Sequence, residues 1–201
     1  MAAYSPSEKI LQYARKSGAF RPRDLAAYGI APVYLQRLVR QGKLDRTGRG
    51  LYSLPKFRVT EFHSLAEAGK KVPKGTVCLL SALRFHGLTT QAPFEVWIAV
   101  DVKAQRPRVD HPPLRIVRFS GNALAEGVEL HRIENIDVRI YSAAKTVADC
   151  FKYRNKIGLE VALEALRDYL RKYRGKTDDL WRYAAVCRVQ NVMRPYLEAM
   201  T

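Results

Sequence analysis

Two groups of side chains in this 201-residue sequence have types and spacings that suit chemistry. The first is Lys145 with Asp149, in which a lysine would bind phosphate and an aspartate would bind a metal ion. On a helix these residues are i,i+4 neighbours, and an ion pair is the simpler interpretation. No glycine-rich loop precedes Lys145, so the motif is not a P-loop. We predict that the pair is structural and that the chain is not an enzyme.

The second group is Gln36, Arg37 and Arg40, whose side chains can donate hydrogen bonds to the edges of DNA bases. In a major groove, glutamine pairs bidentately with adenine and arginine pairs bidentately with guanine. Arg46 and Arg49 follow in a glycine-containing hairpin, where they would contact phosphate or enter the minor groove. The sequence leaves open which arginine reads a base and which anchors the backbone.

Other candidate groups lack partners at a useful spacing. The four histidines lie in different predicted elements without a metal-binding motif, and Ser81 has no flanking glycines of a nucleophile elbow. Asp101 and Glu95 share a predicted strand, but two carboxylates without a third ligand do not make a metal site. We predict no metal and no cofactor. The alternative is a nucleic-acid-processing enzyme that uses Asp101, Lys145 and Asp149 and is targeted by the N-terminal region.

Positive charge is concentrated near the N-terminus. The chain has a formal net charge of +16, and its first sixty residues contain twelve cations against three acids, a net +9. Such an excess implies an acidic partner, and a local concentration is typical of a nucleic-acid footprint.

Local signals predict three short helices before the hairpin. Ser5 to Glu8 form a capping box, and Gly18 ends the first helix. A second short helix runs from Pro22 to Tyr28, and the third begins near Pro32 and stops at Gly42. Two strands follow, residues 43–46 and 51–54, around a turn at 47–50. Three helices and a two-stranded hairpin predict a winged helix-turn-helix.

Helical spacing divides the third helix into two sides. Leu35, Leu38 and Val39 share the core side, and a polar stripe faces away from it. The predicted DNA-binding residues are those of this stripe together with neighbouring cations: Arg21, Arg23, Val33, Gln36, Arg37, Arg40, Lys43, Arg46 and Arg49.

The rest of the chain predicts a small sheet followed by a helical tail. A connecting helix is expected over residues 56–71 with Thr60 as a possible cap, then a buried helix over 76–86, with a strand at its start left open. Strands are predicted at 94–100, 114–119, 128–133 and 136–141, and helices at 142–154, 159–173 and 178–200, the last interrupted near Pro195. The predicted fold class is therefore α+β, a winged helix-turn-helix followed by an α+β domain. The predicted boundaries are 1–58, a connecting segment 59–75, and 76–201.

Cysteine usage and hydropathy predict the compartment. Cys78, Cys150 and Cys187 are odd in number and widely spaced, which indicates neither a zinc site nor a disulfide framework and favours a reducing cytoplasm. No signal core or membrane-spanning run is recognisable. We expect a cytoplasmic protein with no membrane partner.

Three stretches together resemble a known family. They are RGLYSLP at the end of the hairpin, LLSALRFHGLTTQAPFEVWIAV, and IYSAAKTVADCFKYRNKIGLEVALEALRDYL. The sequence is similar to the AbiEi antitoxins of bacterial type IV toxin–antitoxin and abortive-infection systems, from about residue 7 to 197. The later basic loop that contains Lys103, Arg106 and Arg108 could add DNA contacts, although no motif of the family supports them.

The resemblance implies a protein of two parts. The winged helix would bind inverted repeats in double-stranded DNA at its own promoter and repress its own operon. The C-terminal domain would counteract a nucleotidyltransferase-like toxin, and this need not require a stable complex with it. A further alternative is a protein-binding module whose basic face meets an acidic toxin surface.

Overall fold

A computed structural model describes residues 4–55, 60–174 and 177–200. Helices make up about 51% of it and strands about 18%, so the predicted α+β class is confirmed. The chain divides into two compact units. One comprises Met1–His63 with Arg132–Ile136, and the other comprises Ser64–His131 with Asp137–Thr201.

The N-terminal unit contains three helical segments and a hairpin, an arrangement compatible with a winged helix-turn-helix. Its elements are α1 Pro6–Ser17, a 3-10 helix Pro22–Tyr28, α2 Val33–Arg40, β1 Asp45–Gly48 and β2 Leu51–Ser53. The predicted bounds of the three helices hold, although the second is a 3-10 rather than an α-helix.

The capping box at the start of α1 is confirmed. The amide N–H of Glu8 donates to Ser5 Oγ at 3.3 Å, and the amide N–H of Ser5 donates to Glu8 Oε2 at 2.8 Å. These two bonds satisfy amides that a helix start leaves without partners. The apolar side of α1, including Ile10 and Ala14, packs with the inward leucines of the other helices into one core.

The first strand of the hairpin lies two residues later than predicted. Gly48 pairs with Leu51, so the tip is a two-residue turn of Arg49 and Gly50, and the register shifts between Arg46 and Gly48. The amide of Lys43 donates to Leu38 O at 2.9 Å, so this residue belongs to the end of α2 and not to the predicted strand 43–46.

A third segment joins this hairpin. Phe20 and Tyr52 exchange two backbone hydrogen bonds, each of 2.9 Å, and form an isolated antiparallel bridge. The bridge ties β2 to the segment that follows α1, and so holds the hairpin against the helical core. A bridge of one residue on each side has no periodic signal in the sequence, so it was not predicted.

The second unit contains a five-stranded sheet and eight α-helices among its described residues. Its elements are α3 His63–Lys71, which begins at the last residue of the first unit's N-terminal segment, β3 Thr76–Val77, α4 Leu79–His86, β4 Val96–Asp101, β5 Leu114–Phe119, α5 Asn122–Ala125, β6 Val128–Ile133, β7 Ile136–Tyr141, α6 Ala143–Lys152, α7 Arg154–Ile157, α8 Leu159–Lys172, α9 Thr177–Cys187 and α10 Gln190–Met200.

The sheet is mixed, with strand order β5-β4-β3-β7-β6. The two-residue strand β3 lies at its centre, antiparallel to β4 and parallel to β7. Strands β4 and β5 are parallel, in a register that places Val96 beside Leu114 and Asp101 beside Phe119. The predicted turn of the β6–β7 hairpin is confirmed, with positive φ at Glu134 and Asn135.

A largely helical core fills this unit. Helix α6 is buried along almost its whole length, and its N-cap is Ser142, as predicted, whose Oγ accepts from the Lys145 amide at 3.4 Å. Residues of α8, α9 and α10 pack with it in one apolar cluster that includes Trp97 of the sheet. The helical tail therefore shares one apolar core with the sheet.

Several predicted boundaries in this unit were wrong. The connecting helix begins at His63, so Thr60 is not its cap; residues 56–59 of that prediction lie outside the described residues. Strand β4 begins at Val96, where its pairing with Leu114 of β5 begins, and Phe94 is 89% exposed. Glu95 therefore precedes the strand that ends in Asp101.

The helical tail also differs in detail. The helix predicted to end near residue 154 divides into α6 and α7, and the short helix α5 was missed. The last interruption falls at Arg188, which has φ of 59°, and Pro195 lies inside α10.

Helix length bears on membrane spanning. The longest described helix, α8, has 14 residues, whereas a bilayer span needs about 20. No described helix is long and apolar enough to cross a membrane.

Candidate nucleic-acid interface

The outer side of α2 is a continuous exposed stripe. Val33, Gln36, Arg37 and Arg40 are all exposed, and they follow one another at spacings of three, one and three residues. This spacing places them on one face of an α-helix. The stripe thus offers one amide and two guanidinium groups beside a 63% exposed valine side chain.

The buried side of α2 determines that the stripe faces away from the core. Leu35 and Leu38 are each 1% exposed and lie in the core cluster with Ile10 and Phe20. Rotation of α2 would expose these leucines, each at a cost of about 2 kcal/mol. The helix ends at Gln41 and Gly42, and Gly42 has φ of 65°.

The hairpin presents two more cations. Arg46 is exposed on β1, and Arg49 is exposed at the tip, where Gly50 has the positive φ that a tight turn requires. Neither guanidinium has a hydrogen bond or ion pair with any described residue. Both side chains are therefore available to a ligand.

The remaining predicted cations differ in exposure. Arg23 lies exposed on the 3-10 helix and Lys43 is exposed just after α2. Arg21 is half-buried, and its backbone amide donates to Asp24 Oδ2 at 2.8 Å. Arg21 consequently has a role in starting the 3-10 helix in addition to any contact with a ligand.

Acidic side chains do little to neutralise these cations. Hydrogen bonds from the backbone and side chain of Ser5 hold the pKa of Glu8 below its ordinary value, and its carboxylate is committed to the cap of α1. Asp24 accepts the Arg21 amide. Among residues 4–55, Arg37 and Arg40 have no acidic partner, so the stripe retains its positive charge.

The pair predicted to be structural, Lys145 and Asp149, is buried completely. Lys145 Nζ lies 2.6 Å from both carboxylate oxygens of Asp149, and both side chains are 0% exposed. The ammonium also lies over the ring of Tyr141, 4.3 Å from its centroid, and that of Phe119, at 5.0 Å. The predicted ion pair is confirmed in a solvent-free site.

Two further contacts complete this site. Cys187 Sγ lies 3.1 Å from Asp149 Oδ1 and donates to it. Burial raises the pKa of Asp149 above its ordinary value although the Lys145 ammonium opposes this, so ionising the carboxylate costs free energy. Gly127 packs on the lysine stem, where a Cβ would lie 2.8 Å from Lys145 Cβ. With no access for a substrate, the pair cannot serve the enzymatic alternative.

His86, Ser81 and the three cysteines are buried, and His86 and Ser81 form hydrogen bonds within the fold. His86 is buried and its Nε2 donates to Tyr141 O at 2.7 Å, which confirms a core role. Ser81 Oγ accepts the amide of Trp97 at 2.9 Å. Burial raises the pKa of all three cysteine thiols, Cys78, Cys150 and Cys187, which are free.

The two carboxylates considered for a metal ion do not cooperate. Asp101 Oδ1 accepts the amide of Lys103 at 2.7 Å, while Glu95 forms an ion pair with Arg115 at 2.7 Å. No group of three or more histidine, cysteine or acidic residues within 4–55, 60–174 and 177–200 is arranged to hold a metal ion.

Sequence reasoning missed one polar site altogether. Glu134, at the tip of the β6–β7 hairpin, accepts the amide of Thr60 at 2.7 Å and its hydroxyl at 3.1 Å, and its other oxygen lies 2.6 Å from His63 Nδ1. Partial burial would raise the pKa of Glu134, but the bonds from His63 and Thr60 outweigh it and hold the pKa below its ordinary value. No local motif signals a contact across 74 residues.

Comparison with known families matches the N-terminal unit. Residues 8–55 fit a family model described as "Transcriptional regulator, AbiEi antitoxin". The resemblance is therefore confirmed over the residues that the match covers, from α1 to the end of the hairpin, and it implies a transcriptional regulator and antitoxin. No curated protein matches the chain.

Proposed function

We propose that this protein is a DNA-binding antitoxin that represses its own operon in the bacterial cytoplasm. Its N-terminal unit binds inverted repeats at its promoter, with Gln36 and one of the two stripe arginines reading bases in the major groove. Arg46 and Arg49 contact phosphate or the minor groove. Arg21, Arg23 and Lys43 add charge at the edge of this surface, and Val33 contacts an apolar base edge such as a thymine methyl.

The observation that carries the proposal is the exposed stripe of α2. An isolated charged helix face is usually only solvated, but here a basic hairpin belongs to the same compact unit, and no acid among residues 4–55 pairs with the arginines of the stripe. Bidentate guanidinium and amide groups on a short exposed helix are the donors that major-groove recognition uses. The family match to the same residues supports the same class of function.

The charges set the expected salt dependence. If the stripe and hairpin neutralise roughly 4–6 phosphates, the logarithm of the association constant should fall against the logarithm of salt concentration with a slope of about −4 to −5. Loss of a phosphate contact should lower this slope by about one without changing sequence preference. Loss of a base contact should cost about 1–3 kcal/mol on the specific site alone.

The test is a binding titration with the full-length chain. Fluorescence anisotropy on the native upstream duplex and on a scrambled duplex of equal composition, over a range of salt concentrations, gives affinity, preference and slope together. We expect the double variant Arg37→Ala/Arg40→Ala to lose the preference for the native duplex. Arg49→Ala should weaken both duplexes alike.

A matched control comes from the first helix. Arg15 and Lys16 are exposed cations of α1 that lie outside the predicted set, and Arg15→Ala/Lys16→Ala removes the same charge. This control should retain the preference for the native duplex. The proposal fails if the wild-type chain binds both duplexes equally, or if the control loses as much preference as the stripe variant.

The proposed antitoxin activity belongs to the remainder of the chain. The resemblance assigns the C-terminal domain to counteracting a nucleotidyltransferase-like toxin, with or without a stable complex. Co-expression with the neighbouring gene product tests this: growth should be rescued by the chain and also by the Arg37→Ala/Arg40→Ala variant. Failure of the wild-type chain to rescue growth would refute the antitoxin half of the proposal.

A further inference from the structure

The connection between β4 and β5 is unusual in having no helix. The two strands are parallel, so residues 102–113 must return from Asp101 to the start of β5, where Leu114 lies beside Val96. Parallel strands are usually joined through a helix that packs on the sheet. Here the return of about 16 Å, the length of the strand, is made by chain with no regular structure. We call residues 102–113 the return loop.

Both ends of the return loop are held by side chains of the same unit. Near its start, Arg118 Nη1 donates to Asp101 O at 2.8 Å and to Ala104 O at 2.6 Å. Near its end, Lys71 Nζ donates to His111 O, and the His111 ring lies 3.3 Å from Glu67 Oε2. The loop is thus fixed at two points, which reduces the conformational entropy that a ligand must remove.

Exposure alternates along the segment between these two points. Arg106, Arg108 and Asp110 are exposed, whereas Pro107 and Val109 are half-buried. In extended chain such alternation places the exposed side chains on one side, with Arg106 and Arg108 about 6.6 Å apart along the backbone. The two arginines therefore project on the same side of this segment.

The side chains of these two arginines are exposed. Among the described residues, neither Arg106 nor Arg108 has a hydrogen bond, ion pair or ring contact, and Lys103 contributes only its backbone amide, to Asp101. Asp110 is the one acid on the same side of the segment between the pinned ends. The projecting side thus carries an unneutralised pair of cations next to a single carboxylate.

We propose that the return loop is a second DNA-binding element, in which Arg106 and Arg108 contact successive phosphates of one duplex strand. The inference rests on the proposed function for duplex DNA as the ligand. A protein partner fits less well, because interface hot spots need aromatic or aliphatic anchors, and the apolar residues between Arg106 and Asp110 are only half-exposed. Contacts of this kind hold the backbone and add affinity without sequence preference.

The proposal predicts how loss of the two arginines changes the affinity for DNA and its dependence on salt. Removing two phosphate contacts should reduce the salt slope of the full-length chain by about 2 and weaken binding about 10–50-fold at 0.1 M salt, on native and scrambled duplexes alike. Arg106→Ala/Arg108→Ala is the test variant. Asp110→Asn removes a negative charge about 7 Å away and should tighten binding by about two- to threefold.

Arg167→Ala/Arg194→Ala is the matched control. These arginines are exposed on α8 and α10 and have no hydrogen bond, ion pair or ring contact with another described residue, and their loss lowers the net charge of the same unit equally. This control should leave the salt slope within about 0.5 of the wild-type value, because a distant charge releases few counterions. Unchanged tryptophan fluorescence would show that each variant is folded.

The outcomes separate the inference from the proposed function. If Arg106→Ala/Arg108→Ala keeps the wild-type slope on both duplexes, the return loop is not a DNA-binding element, whatever the stripe variants do. If that variant instead loses affinity only for poly-L-glutamate, the loop binds acidic polypeptide and the inference is overturned. If the wild-type chain shows no preference for its native duplex but the slope falls by about 2, the loop inference stands and the base-reading proposal fails.

Discussion

The buried pair of Lys145 and Asp149 provides the sharpest stability prediction. In the variant Asp149→Ala the Lys145 side chain keeps its solvent-free position and its two neighbouring rings but loses both carboxylate oxygens at 2.6 Å. Loss of one partner of a buried ion pair costs about 3–5 kcal/mol, because the remaining charge is uncompensated. A domain with a stability of about 5–15 kcal/mol would lose a large part of it.

The double variant Lys145→Met/Asp149→Leu should behave differently. It removes both charges, keeps similar volumes, and leaves a thioether that can pack against the rings of Phe119 and Tyr141. Replacement of a buried ion pair by apolar residues of matching volume is often neutral or stabilising. We expect the double variant to lie within about 2 kcal/mol of the wild type, and so to be more stable than Asp149→Ala.

The two tryptophans make the measurement specific. Trp97 and Trp181 are the only ones in the chain and both lie in the second unit, so tryptophan-excited fluorescence in a urea titration reports that unit. With an m-value of about 1–3 kcal/mol/M, Asp149→Ala should lower the urea midpoint by more than about 1 M.

An exposed ion pair serves as the comparison. Arg171 and Asp168 are i,i+3 neighbours at 2.9 Å, and the arginine side chain is 78% exposed. Asp168→Ala should cost less than about 1 kcal/mol. The reasoning is refuted if Asp149→Ala is as mild as Asp168→Ala, or if the double variant is no more stable than Asp149→Ala.

Two further predictions concern the core and the pH dependence of stability. Leu38 is 1% exposed, so Leu38→Ala should lower the stability of the N-terminal unit by about 2–5 kcal/mol, measured in a circular-dichroism melt. The control Val33→Ala, on the exposed side of α2, should change the stability by no more than about 0.5 kcal/mol. Equal losses in the two variants would contradict the assigned orientation of α2. Burial lowers the pKa of His86 below its ordinary value of 6.5, so below pH 6.5 the unfolded chain binds a proton that the folded chain does not. The urea midpoint of the second unit should therefore fall as pH drops from 7.5 to 5.5. If the midpoint of His86→Gln depends on pH as strongly as that of the wild type, protonation of His86 is not the cause of the fall.

Local chemistry explains which features could be predicted. The capping box of Ser5 and Glu8 joins residues three apart, and the turn at Glu134 and Asn135 follows from the alternation of the strands on either side. The separation of α2 into a buried and an exposed side also follows from helical spacing, because Leu35 and Leu38 share a face. Features that depend only on residues close together in the chain could therefore be predicted.

Features that depend on distant parts of the chain were not recognisable. The bridge between Phe20 and Tyr52 involves one residue on each side, and the thiol of Cys187 reaches Asp149 across 38 residues. The central strand β3 has only two residues and no periodicity of its own, so pairing with β4 and β7 defines it. The roles of the predicted DNA-binding residues also depend on a ligand, and they remain predictions.

The bonds between Glu134 and Thr60 have a consequence for synthesis on the ribosome. They place the hairpin tip Arg132–Ile136 in the same compact unit as the N-terminal helices, although 74 residues separate Glu134 from Thr60. At about 5–20 residues per second, a nascent chain would wait roughly 4–15 s after Thr60 is added before Glu134 is available. The first unit is therefore finished only when most strands of the second have been translated, and a nascent chain shorter than this lacks part of its N-terminal unit.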